Sequence, residues 1–196
     1  MKTLGLAAVF AISMMGMAHS AVQTDPDWPC VQRKQPALSV AQVWPGPAIP
    51  DPPPQADAKI AELAQRIALR RTPLDEATQL IEAFKANNPP EAQIALFLAT
   101  FDQIQTARNR VIAGIARYAH KQLALEQEIN QKRHLFAELS EAQPPDYDAI
   151  DKAEAEVDWA TRVFVDRKQS LTYVCETPVF LEQRIFALGR ALAAGL

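Results

Sequence analysis

From Glu91 to Gln143 the chain carries no proline and one glycine, Gly114, and proline pairs stand on both sides, Pro89-Pro90 and Pro144-Pro145. Proline lacks the amide hydrogen and fixes φ, so each pair ends a helix while the stretch between them is free to form one. Positions taken alternately four and three apart read Phe97, Phe101, Ile104, Arg108, Val111, Ile115, Tyr118, Gln122, Leu125, Ile129, Lys132, Phe136 and Leu139. All are apolar except Arg108, Gln122 and Lys132. That spacing predicts a coiled-coil seam. At 1.5 Å per residue the seam is about 65 Å long, more than a domain of this size can bury, so part of the helix must project.

A second seam follows Pro144-Pro145: Ile150, Ala153, Val157, Ala160, Phe164, Arg167, Leu171 and Val174. Asp146, Asp148 and Asp151 place negative charge where this helix would begin. The connection is short, which predicts antiparallel pairing. The expected hairpin spans about 111–174 and forms an arm roughly 45 Å long.

Shorter helical patterns flank the arm. Ile60, Leu63 and Ile67 mark a helix over about Asp57–Arg70. Thr72-Pro73 reads as an N-cap followed by proline in the first helical position, with Leu74, Ala77, Leu80, Ile81 and Phe84 inward. Asn87-Asn88 and the prolines after them stop that helix. Thr177-Pro178 repeats the capping pattern and predicts a separate last helix with Ile185, Leu188 and Leu192 inward. The fold class is therefore all-α: a long antiparallel hairpin on a four-helix base, residues 56–196 forming a single domain.

The N-terminal part is different in kind. Lys2, an apolar run from Leu4 to Met17, and Ala18-His19-Ser20 have the layout of a secretory signal peptide, 1–20, cut after Ser20. The alternative is an N-terminal membrane anchor. Nine of the fifteen prolines fall in residues 21–55, which predicts an extended strap with no helix through it. Trp28 and Trp44 make that strap too apolar for a mere linker. It either lies over the helical body or docks in the groove of a partner protein. Gly114 is either the missing side chain that admits the strap or a tolerated glycine.

Removing the leader takes away Lys2 and leaves 19 basic residues against 23 acidic ones. An acidic chain lacks the footprint that binds a phosphate backbone, so nucleic acid is not an expected partner. No other apolar run approaches membrane-spanning length, so the mature chain is not expected to insert. Two cysteines remain, Cys30 and Cys175. In an oxidising compartment they pair most simply with each other, and the alternative is an intermolecular bridge. Haem attachment and thioredoxin-like chemistry need C-x-x-C spacings that are absent.

Little else points to chemistry. His120 and His134 share a helix face, with Glu138, Asp151 and Glu154 near enough to suggest zinc. They stand on the solvated flank, however, and ion pairing or exposure is the expected state. Serine-histidine machinery would need a shielded pocket that a two-helix arm does not offer, and glycine-rich phosphate loops are absent. No catalytic residue, metal or cofactor is assigned. Arg108, Gln122, Lys132 and Arg167 interrupt the seams and, with Trp28 and Trp44, are the candidate partner-binding residues. The arm tip, Ser140–Asp148, is polar and acidic. The sequence predicts a periplasmic or secreted, non-enzymatic coiled-coil protein that binds, spaces or scaffolds envelope proteins, with homo-oligomerisation through the hairpin possible. The alternative is an enzyme or small-ligand carrier using a cleft between strap and base.

Overall fold

The computed structural model describes residues 25–35 and 37–196; the expected leader and its cut after Ser20 lie outside them. Among the described residues the chain is helical, with no strand: α1 Val40–Val43, α2 Ala58–Ala68, α3 Leu74–Lys85, α4 Pro90–Glu141 and α5 Tyr147–Ala193. The two long helices pack against each other as an antiparallel pair, and the bonds between them climb in step. Tyr118 Oη donates to the carbonyl of Arg167 at 2.8 Å, Gln122 Nε2 to that of Phe164 at 3.3 Å, and Lys132 Nζ to Glu156 Oε2 at 3.0 Å. Ile115, Ile129, Ala153, Ala160 and Leu171 are buried along the seam. Alanines opposite larger side chains let the two helix axes approach closely.

α2 begins where Asp57 accepts the Ile60 amide at 2.8 Å, which is N-capping as its sequence predicts. It ends at Ala68, two residues before the expected Arg70. Its last carbonyls are taken by side chains: Arg184 donates to the Ile67 carbonyl at 2.6 and 2.9 Å and to that of Thr72 at 2.9 Å, while Thr72 Oγ1 donates to the Arg66 carbonyl at 2.8 Å. Thr72 therefore closes α2 instead of capping α3, and Pro73 holds the N-cap position. Asp75 and Glu76 occupy the first turn of α3. Leu74, expected inward, is 41% exposed.

The core gathers Ile60, Ala64 and Ile67 of α2, Ala77 and Ile81 of α3, Leu96, Phe97 and Ile104 of α4, and Leu181, Ile185, Leu188 and Leu192 of α5. Those α5 residues overturn one expectation. Thr177-Pro178 does not open a new helix; α5 runs through it with Pro178 buried inside. An interior proline costs about 3 kcal/mol. Each fully buried Leu or Ile contributes roughly 1.5–3 kcal/mol, so the four beyond Pro178 outweigh it. Thr177 is also occupied, accepting from Arg70 Nη1 at 3.4 Å.

The proline-rich segment differs from its expectation in one place. Val40–Val43 makes a helical turn, begun where the Ser39 amide donates to Gln42 Oε1 at 2.7 Å. No proline lies between Ala37 and Trp44 to prevent it. Val43 is buried in the core, and Leu38, Val40 and Trp44 pack against it. The Trp44 ring lies 4.4 Å from that of Phe97, and its Nε1 donates to the Pro47 carbonyl at 2.8 Å.

Candidate functional site

The outer parts of α4 and α5 carry two concave surfaces, one lined in part by the N-terminal segment and one open. The first is fixed by a covalent bond. Cys30 and Cys175 form a disulfide, with S–S 2.00 Å and Cα atoms 5.6 Å apart. A second tie lies further out, where His120 Nε2 and Asp27 Oδ1 are 2.7 Å apart. The segment between is folded on itself: Trp28 Nε1 donates to the Gln32 carbonyl at 2.6 Å, and Lys34 Nζ pairs with Asp25 Oδ2 at 2.8 Å. The Lys34 ammonium, helped by the Asp27 amide, holds the Asp25 carboxyl below its usual range.

Between this segment and the helix pair lies a cavity of about 520 Å³. Pro26, Trp28, Pro29 and the disulfide form one wall, and Leu123, Phe164 and Leu171 form the other. The volume falls within the range of small-molecule sites. Lys168 and Thr172, one turn apart on α5, also line it.

The other surface is a groove of about 430 Å³ lined by Leu125, Ala155, Trp159, Ala160 and Val163, with Glu128, Lys132, Lys152 and Glu156 around it. Trp159 is 67% exposed. Lys132 lies 3.0 Å from Glu156 and 3.6 Å from Glu128. Its hydrogen bond with Glu156 lowers that carboxyl's pKa and raises the lysine's.

The residues singled out from sequence are distributed unevenly over these features. Arg108 is fully buried, pairing with Glu182 at 2.7 Å and donating to the Gln35 carbonyl, so it joins α4, α5 and the N-terminal segment. Gln122 and Lys132 make the cross-seam bonds that fix register. The Arg167 side chain is exposed. Trp44 packs on the core of its own chain, and Trp28 lines the cavity. His134 is exposed, and among the described residues no group of three or more His, Cys, Asp and Glu could hold a metal ion. The tip from Ser140 to Asp148 is exposed.

Sequence reading missed Trp159. It lies off the four-three seam of the return helix, and its only signal is a large aromatic residue on an otherwise polar flank. A cleft beside the strap was an expected alternative, but its place against the outer helix pair was not legible. Its two walls are more than eighty residues apart in sequence and are brought together by the Cys30–Cys175 bond and the His120–Asp27 contact.

Compared with models of known protein families, with curated proteins and with solved structures, the chain matches none of them. No helix among the described residues is long and apolar enough to cross a membrane.

Proposed function

We propose that this is a periplasmic or secreted, non-enzymatic protein whose helical arm binds another envelope protein. In this reading residues 1–20 are a cleaved leader and the N-terminal segment is a strap. The strap lies over a base made by α2, α3 and the inner ends of α4 and α5. The disulfide supports an oxidising compartment, where such bonds persist.

One observation carries the reading: Trp159 stands exposed on a paired-helix arm, in a shallow groove bordered by charges of both signs. Exposed tryptophan with a polar rim is the usual composition of an interface hot spot. Lys132 and Glu156 already pair within the arm, so the groove is held in shape before a partner arrives, which reduces the ordering cost of binding. Arg167, exposed on the same helix, belongs to the proposed surface. Arg108, Gln122 and Lys132 serve it indirectly by fixing the register of the two helices.

The test is a photo-crosslinking amino acid at position 159 in the exported protein, with exposed Glu62 of α2 as control. A discrete adduct from position 159 and none from position 62 is the expected result. Equal yields from both positions, or none from either, would overturn the proposal. Light scattering then decides whether the partner is a second copy of this chain, which would give twice the monomer mass.

A further inference from the structure

The cavity beneath residues 25–32 has a chemistry of its own. Its walls are mostly apolar, and two polar groups of its strap side are already engaged, Asp25 by Lys34 and the Trp28 indole by the Gln32 carbonyl, while the Gln32 side chain makes no bond among the described residues. Gln122 Nε2 donates across the seam to the Phe164 carbonyl, while its buried Oε1 has no partner among the described residues. Lys168 and Thr172 both line the cavity, and neither makes a side-chain hydrogen bond or ion pair among the described residues. Four residues apart on a helix, they share one face, so an ammonium and a hydroxyl stand together on the α5 wall of the slot, between Phe164 on the outer side and Cys175 on the inner.

The two helices beside it carry charge of the same sign, while Asp25 and Asp27 of the N-terminal segment are paired with Lys34 and His120. Helical stretches 116–124 and 162–171 carry Arg117, Lys121, Arg162, Arg167 and Lys168 against Asp166 alone, in a chain whose net charge is −3. The remaining acid of the lining, Glu126, is at the far end. Tyr118 bonds to the Arg167 carbonyl, which sets Lys168 level with the region of residue 118. Glu126 is therefore displaced outward by about 12 Å at 1.5 Å per residue.

We propose that this slot binds a single-chain anionic amphiphile, its acidic head at Lys168 and Thr172 and its hydrocarbon chain running outward between Trp28, Leu123 and Phe164. The site is separate from the Trp159 groove, and the two proposals stand or fall independently.

Calorimetric titration of the oxidised protein with decanoate, below its micellar concentration, tests this. Decyltrimethylammonium and decanol serve as comparison ligands. Saturable binding of one decanoate per chain is expected, with the cationic ligand weaker by at least about tenfold. Leu123 is 45% exposed, so Leu123→Arg blocks the slot without disturbing the core and should abolish binding. Lys168→Glu, also on the surface, should weaken decanoate about fivefold, the size expected from reversing one exposed charge contact. Trp159→Ala should change nothing. Absence of saturable binding, equal affinity for the cationic ligand, or full binding by the Leu123→Arg protein would each overturn the proposal.

Discussion

A methyl group placed on Gly189 would come within 2.5 Å of the Val43 carbonyl oxygen and 3.4 Å of the Phe97 ring, whereas one on Gly114 would meet only the tip of Arg117 at 3.9 Å. The glycine that admits the N-terminal segment is thus Gly189 of α5, not Gly114. The two positions should respond oppositely to the same substitution. Gly114→Ala should stabilise by about 0.5–1 kcal/mol, the helix-propensity gain alone. Gly189→Ala should destabilise by about 1–3 kcal/mol, because backbone and a core ring must move. Urea unfolding of both variants checks the pair, and a stabilised Gly189→Ala protein would show that the segment does not pack where it is described. Arg108 illustrates a related point. A cation at a seam position looked like a specificity device, yet burial makes it an internal one. Removing it would leave Glu182 and the Gln35 carbonyl without their donor.

At the level of elements, prolines were reliable punctuation where they came in pairs and at Pro73, where α3 begins one residue later, but not at Pro178, which lies inside α5. Pro89-Pro90 and Pro144-Pro145 bound the long helix as read, because two consecutive rings remove two donors and leave no register in which the helix continues. Thr72 and Thr177 both resembled N-caps. One instead closes the preceding helix and the other lies inside α5, since hydroxyls accept or donate according to which neighbour is present. The N-terminal segment is held at two separate places: at Cys30, and where Val43 and Trp44 enter the core. The disulfide closes a separation of 145 residues, and its loss should cost about 5 kcal/mol in the chain-entropy model. Cys30→Ser should therefore lower the melting temperature and expose Arg33 and Lys34 to trypsin before any site in α2 to α5. Mass analysis of the first fragments checks this. Early cuts within α2 would mean that the disulfide supports the whole fold, not the segment.

For the whole molecule, length is the decisive quantity. α4 has 52 residues, about 78 Å at 1.5 Å per residue. X-ray scattering of a protein lacking residues 1–20 should give a maximum dimension near 80 Å. Its radius of gyration should lie well above the roughly 16 Å of a compact chain of this size. A value close to that compact figure would mean that the long helices fold back on α2 and α3, and both concave surfaces would then lose their setting. Both surfaces depend on the same circumstance: a two-helix arm buries only one stripe of each helix, so its flanks remain available to a strap, a ligand or another protein.

The sequence by itself determined the helical class, the paired long helices and the place of the turn between them, and it narrowed the cysteines to a bond within the chain or one between two chains. The first three depend on local periodicity and on missing amide donors, and the last on there being only two cysteines. Only the tertiary structure decided that α5 passes through Pro178, that Gly189 receives Val43, that Arg108 is internal, and that Trp28 and Phe164 line one cavity. Those outcomes turn on burial between residues distant in the chain, where the gain of packing several side chains together overrides the local preference of any one of them.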